Sequence, residues 1–321
     1  MRKSLLFLTV LSFVMPCIGS RAFSAEPLDL KTDSGVIKGT LETPNTPEPW
    51  PMVLIIAGSG PTDRNGNGPV SAAKNDSLKL LAEGLASKGI GSLRFDKRGI
   101  AESAKALAKE DDIRFETYID DVVQWGKQIQ KDKRVKSLVI LGHSEGTLIG
   151  MAACQKLDNV KGFISVAGAG CPASQLLLSQ IEPKVPPAMF EEVKSIVEQL
   201  KNGKTVKEVP PIWNSLFRPS VQPYIISWFK YDPAEEIARL KVPALIVQGT
   251  TDIQCSVEDA KRLDKSCKNA KLLLVEGMNH IMKKVSDDQT EQIKSYGDPS
   301  LPIASEMMEP TVAFIKGLEK K

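Results

Sequence analysis

The stretch Lys136-Ser137-Leu138-Val139-Ile140-Leu141-Gly142-His143-Ser144-Glu145-Gly146-Thr147-Leu148-Ile149-Gly150 reads as a buried strand, a sharp turn and a helix, with one serine at the bend. Gly142-x-Ser144-x-Gly146 is the spacing of a nucleophile elbow, in which glycines let strand and helix pass closely and the turn lifts a hydroxyl clear of the sheet. The context agrees. Residues 138–141 are an apolar run of strand length, and residues 147–153 are small, apolar and compatible with a helix.

Further strand-like runs lie on both sides, at 52–57, 91–95, 160–166, 242–247 and 271–275. The run at 52–57 is apolar throughout and does not alternate, as strands covered on both faces are. Amphipathic segments at 78–88 and 117–131 separate them. Strand and helix in alternation predict an α/β protein, a mostly parallel sheet flanked by helices. Residues 28–41 add a hairpin turning at Asp33-Ser34-Gly35. Between 172 and 230 the alternation stops. This interval has helical pieces, Pro210-Pro211, and Trp213, Phe217, Tyr224, Trp228 and Phe229, and it is expected to be a helical lid over the sheet's carboxyl edge. Each of its aromatics has two readings, as part of the substrate site or as packing within the lid itself.

The chain has 321 residues, 42% hydrophobic and 25% charged, enough for one large domain over 25–321. Arg2 and Lys3 precede an apolar run over 5–15, and Ala22-Phe23-Ser24 supplies small residues where a signal peptidase reads. Residues 1–24 are expected to be a secretory signal, and the protein to be exported to the periplasm or beyond the cell. Lipidation at Cys17 is the weaker alternative, because Met15-Pro16 approaches it poorly. Without Arg2, Lys3 and Arg21 the 42 basic residues fall to about 39, against 39 acidic ones. A balanced chain gives no electrostatic case for nucleic acid as a partner, and no later run suggests stable membrane insertion. Oligomeric state is not legible.

Cys154, Cys171, Cys255 and Cys267 could oxidise in an exported protein. Cys255 and Cys267 flank a predicted helix whose ends stand too far apart for one disulfide, and Cys154 falls in the helix behind the elbow. No cysteine and histidine cluster suggests zinc. Asp63-Arg64-Asn65-Gly66-Asn67-Gly68 imitates the start of a calcium loop, but Lys74 occupies the position that needs a bidentate carboxylate. Neither metal nor other cofactor is expected.

A serine hydroxyl becomes a nucleophile when a base takes its proton, and the base needs a carboxylate to hold its tautomer. The chain has two histidines. His143 adjoins Ser144 in the elbow, where neighbouring side chains diverge, and is assigned to local packing. His280, in the loop after the 271–275 strand, is left as the base. For the acid, Asp252 follows the 242–247 strand and gives the chain order Ser, Asp, His. Its competitors are Glu258 and Asp232, the latter better suited to capping the next helix. The oxyanion donors are expected to be the backbone N–H of Glu145 and one from the loop after 52–57, with Ser59 as first choice.

Gly142-His143-Ser144-Glu145-Gly146, Asp252 and Gly277-Met278-Asn279-His280 together resemble the α/β-hydrolase superfamily. Ala57-Gly58-Ser59-Gly60-Pro61-Thr62-Asp63-Arg64, Arg94-Phe95-Asp96-Lys97-Arg98-Gly99 and Ser227-Trp228-Phe229-Lys230-Tyr231-Asp232-Pro233 are similar to bacterial carboxylesterases with a helical lid, and in part to serine aminopeptidase-like hydrolases. The resemblance implies a triad of Ser144, Asp252 and His280, oxyanion donors at Ser59 and Glu145, no cofactor, and short acyl esters as small-molecule substrates. Two departures are Ala57, where many relatives carry histidine, and Ala101, where many carry glycine. The sequence leaves two further readings open: a peptidase or amidase on the same machinery, and a binding protein that has kept the fold alone.

Overall fold

The computed structural model describes residues 23–68 and 74–320. The leader expected over 1–24 lies outside the described residues apart from Phe23 and Ser24, which open the first strand. The strands are β1 (Phe23–Thr32), β2 (Gly35–Pro44), β3 (Trp50–Ile56), β4 (Gly91–Phe95), β5 (Val135–His143), β6 (Val160–Val166), β7 (Ala244–Gly249) and β8 (Ala270–Val275). The helices are α1 (Ser77–Ser87), α2 (Phe115–Ile129), α3 (Glu145–Cys154), α4 (Ala173–Ile181), α5 (Pro187–Lys201), α6 (Asn214–Phe217), α7 (Gln222–Trp228), α8 (Pro233–Ala238), α9 (Val257–Ser266), α10 (Gln289–Ser295) and α11 (Ser305–Leu318).

The strands form one eight-stranded sheet in the order β1-β2-β4-β3-β5-β6-β7-β8. β1 and β2 are the expected hairpin, and β2 pairs antiparallel with β4; every pairing from β4 to β8 is parallel. The period-2 geometry of a strand sends alternate side chains to opposite faces. On β3, Met52, Leu54 and Ile56 enter one apolar cluster, shared with Trp125 of α2 and Leu148 and Met151 of α3. Val53 and Ile55 enter the other, with Leu78, Leu81 and Leu85 of α1 and Met307 and Ile315 of α11. Both faces are covered, which is why β3 reads as an unbroken apolar run.

After β3 the chain crosses to β4 on one side, and then returns to place β5 on the other. That reversal is a topological switch point, where loops at the carboxyl ends of two parallel strands diverge and leave a crevice. Ile56 pairs with Gly142, and His143 with Val166. The loops after β3 and β5 therefore begin side by side.

The interval at 172–230 is an insertion of α4 to α7 between β6 and β7. Val193, Val197, Leu200, Trp213 and Phe217 are buried and Phe190 half-buried. α8 begins with Asp232 accepting the N–H of Ala234 at 2.8 Å, the capping role expected of it. The departure at Ala101 has a backbone counterpart: φ is +43° there, a region in which glycine pays no Cβ penalty. Cys154, Cys171, Cys255 and Cys267 are all free thiols, and α9 does separate Cys255 from Cys267. Among the described residues, no helix is long and apolar enough to cross a membrane.

Candidate active site

Ser144 sits between β5 and α3 with φ +54° and ψ −124°. These dihedrals are costly for a non-glycine residue and persist only where the surroundings over-determine them. Here the surroundings are backbone. A Cβ at Gly142 would stand 2.3 Å from the Gly146 carbonyl oxygen, and one at Gly146 would stand 2.4 Å from the Ile56 carbonyl oxygen. Strand, turn and helix are thus pressed together at both glycines, and the Ser144 N–H is tied to the Val166 carbonyl at 3.0 Å. Gly58, on the neighbouring loop, leaves room of the same kind: a Cβ there would lie 3.0 Å from Cβ of Ser144.

Asp252 follows β7, and His280 follows β8. His280 Nδ1 lies 2.9 Å from Oδ2 and 3.1 Å from Oδ1 of Asp252. The carboxylate also accepts the N–H groups of Gln254 (2.7 Å) and Cys255 (3.0 Å), and Nε2 of Gln248 at 3.0 Å. Burial alone would push this carboxyl up, but His280 and the two backbone donors outweigh it, and Asp252 is held below the ordinary value. An ionised carboxylate at Nδ1 leaves Nε2 of His280 as the nitrogen free to accept a proton. His280 and Ser144 line one cavity of about 240 Å³, with Gly58, Ser59, Thr62, and Tyr296. A second, narrower slot of about 70 Å³ runs from Ser144 under the insertion, between Leu148, Leu176, Leu177 and Trp228. Trp228 therefore faces the site, whereas Trp213 and Phe217 are buried in the apolar cluster that the insertion shares with the sheet.

Both expected oxyanion positions flank this junction. Glu145 is the first residue of α3, so its N–H has no intrahelical carbonyl to bond. Ser59 lines both cavities beside Ser144. Glu258 and Asp232, the alternative acids, lie elsewhere: Glu258 pairs with Lys261 on α9 and Asp232 caps α8. Asp63 spends one carboxylate oxygen on the N–H groups of Asn65 and Asn67 within its own loop.

Four contributions escaped the sequence reading. Gln248 is wholly buried and supports Asp252; its position at the end of β7, a polar residue after an apolar run, was the available signal. His143, assigned to packing, packs against the His280 ring with centroids 4.9 Å apart and places Nε2 2.8 Å from the His280 carbonyl oxygen. Lys97 and Tyr224 form a buried cluster with the Glu145 side chain. Lys97 stands in a run of three charges directly after an apolar strand, which in a folded chain calls for buried partners.

Burial and the neighbouring His280 push His143 down to about 4. It is therefore a neutral donor to the His280 carbonyl at ordinary pH. An unfolded chain binds this proton from its usual value of about 6.5, whereas the folded chain does so only near the lowered one. The unfolded state then carries more protons between the two values, so stability falls as pH drops through that window and levels below it. At about 1.4 kcal/mol per unit the loss approaches 3 kcal/mol. Urea unfolding between pH 7 and pH 4 checks this, and His143→Gln, which has nothing to titrate, should show a correspondingly flatter slope.

The model of the family described as serine aminopeptidase, S33, matches residues 75–221, a span that holds Ser144 but neither Asp252 nor His280. The chain is 29% identical over 254 residues to the esterase EstD of Thermotoga maritima, covering 77% of this chain and 58% of that protein. It thus spans rather over half the length of that curated relative. Among solved structures, Est1E of Butyrivibrio proteoclasticus with bound ferulic acid superimposes with a TM-score of 0.61 at 19% identity, covering 92% of this chain and 100% of that one. GrgF, described as an α/β hydrolase from a Penicillium species, gives 0.60 at 17% identity, covering 93% of this chain and 100% of that one.

Proposed function

We propose that this chain, an α/β hydrolase by fold and by its relatives, is an exported serine carboxylesterase acting on small acyl esters through Ser144, His280 and Asp252. The observation that carries the reading is the Asp252 carboxylate 2.9 Å from Nδ1 of a histidine that shares a cavity with the elbow serine. His280 takes the hydroxyl proton as Ser144 attacks the ester carbonyl. The Ser59 and Glu145 N–H groups receive the charge that develops on the carbonyl oxygen. His280 then returns the proton to the departing alcohol, and water, activated by the same imidazole, releases the acid from the acyl-enzyme.

Proton return assigns the two cavities. The leaving oxygen must lie next to His280, so the alcohol occupies the cavity lined by Thr62, His280 and Tyr296. The acyl group is left the narrow apolar slot under the insertion, which serves as a lid with Trp228 in its lining. The slot favours short acyl chains. EstD is named an esterase, and Est1E was solved with an aromatic acid; both relatives lend support to an ester substrate.

A second reading, an aminopeptidase, is favoured by the description of the matching family. Such an enzyme needs a carboxylate to hold a free N-terminal ammonium. Among the described residues lining the two cavities, the single carboxylate is that of Glu145, and Lys97 and Tyr224 already occupy it. The test is hydrolysis of p-nitrophenyl esters of increasing acyl length beside amino-acid p-nitroanilides. Turnover concentrated on the short esters, with the anilides silent, is the expected outcome; faster release from anilides with a free amine would replace the esterase reading by the peptidase one.

A further inference from the structure

Lys97, on the loop after β4, is among the most deeply buried long side chains in the protein, 2% exposed. Its ammonium reaches the Gly58 carbonyl oxygen at 2.6 Å and Oε2 of Glu145 at 3.0 Å, and lies 5.0 Å from the centroid of the Tyr118 ring. The other carboxylate oxygen, Oε1, accepts the hydroxyl of Tyr224 on α7 at 2.5 Å. Burial and the Glu145 charge hold the Tyr224 phenol well above its ordinary range, so it stays a donor. Removing charged groups from water is expensive, and hydrolysis as proposed above uses none of these three side chains. Their partners are what distinguishes them.

The Gly58 carbonyl and the Ser59 N–H belong to one peptide group. In a trans peptide they point in opposite directions, and the one cis peptide among the described residues is Glu48-Pro49. Gripping the carbonyl therefore aims the N–H. Glu145 supplies the second N–H from its own backbone, and its carboxylate is held by the same ammonium. The Tyr224 hydroxyl extends the connection to the insertion.

We propose that Lys97 is a positioning residue that orients both oxyanion donors, with Glu145 as the link through which Tyr224 sets the same two donors from the lid. The proposal rests on the serine-esterase reading above. A donor misplaced by a fraction of an ångström loses far more in the transition state than in substrate binding, because the oxyanion forms only there.

The experiment compares wild type, Lys97→Met, the double variant Lys97→Met/Glu145→Gln, and Tyr224→Phe on a short p-nitrophenyl ester. Active sites are counted by fluorophosphonate labelling carried to completion, and affinity is measured for a trifluoromethyl ketone that forms a tetrahedral adduct. Lys97→Met should lower kcat per labelled site about 10²-fold, leave KM within about threefold, and weaken the ketone by a factor matching the fall in kcat. Tyr224→Phe should lower kcat about fivefold, for one lost hydrogen bond. Should Lys97→Met fail to fold because it strands the Glu145 charge, the double variant removes both charges and should show the same kcat loss. Unchanged kcat and ketone affinity per labelled site, with only thermal stability reduced, would overturn the proposal; so would a rise in KM alone. A wild type that neither labels nor turns over esters would instead remove the esterase reading.

Discussion

Ser144→Ala should abolish fluorophosphonate labelling and lower ester turnover by at least about 10⁴-fold, leaving only what the oxyanion donors and binding supply without a nucleophile. The hydroxyl is the one group in the elbow that can form the acyl-enzyme. Alanine keeps the Cβ and inherits the same φ of +54°, so the fold should survive with its strain intact. Glycine relieves that strain, because it adopts positive φ freely. Ser144→Gly should therefore be equally inactive, yet more stable than Ser144→Ala by about 1 kcal/mol, the relief of a strained residue less the extra chain entropy of glycine. Chemical denaturation of the two variants measures the difference. Turnover that survives in Ser144→Ala would remove this serine from the reaction.

The elbow, the sheet and the order of the site residues could be read from the chain because each rests on a short local pattern. Gly142 and Gly146 are required by backbone contacts of 2.3 to 2.4 Å, and no other residue fits them. Asp252 and His280 each follow an apolar run, so a strand with covered faces also marks the loop at its end. The interruption of the alternation is where α4 to α7 lie, between β6 and β7. What could not be read was contact between distant segments. Lys97 and Glu145 are 48 positions apart, Tyr224 and Glu145 79, and Lys97 and the Gly58 carbonyl 39. No periodicity relates them, since two separate loops and two helices converge on one point. The divergence of neighbouring side chains at a bend assigns His143 to packing, yet it lines the same cavity as Ser144. Its partner, the His280 carbonyl, is 137 positions on.

Asp252→Asn should lower kcat about 10³- to 10⁴-fold with KM little changed, and the cause is the hydrogen-bond inventory around this carboxylate rather than its charge alone. Four donors converge on its two oxygens: the N–H groups of Gln254 and Cys255 on Oδ1, Gln248 on Oδ2, and Nδ1 of His280 close to both. An asparagine has one acceptor oxygen and an NH₂ group. Its oxygen is needed by the two backbone donors, which cannot move without unwinding the turn that leads into α9. The NH₂ is then left facing Gln248 and His280. Gln248 can accept one of the new hydrogens only by turning its amide, which gives its free Oε1 a partner at the cost of the bonds from Nε2 to the Gly249 and Cys255 carbonyl oxygens. His280 can accept the other only by moving its own proton from Nδ1 to Nε2. That tautomer offers Ser144 a donor where the reaction requires a base, so attack is blocked although every atom stays near its place. The variant should therefore unfold close to wild type, label with fluorophosphonate to the same end point, and do so more slowly by about the factor lost in kcat. Asp252→Ala separates tautomer from packing: it leaves a cavity and unpaired backbone donors, so it should lose stability as well as rate. A kcat for Asp252→Asn within tenfold of wild type would mean that another group fixes the His280 tautomer, and that Asp252 is a turn former alone.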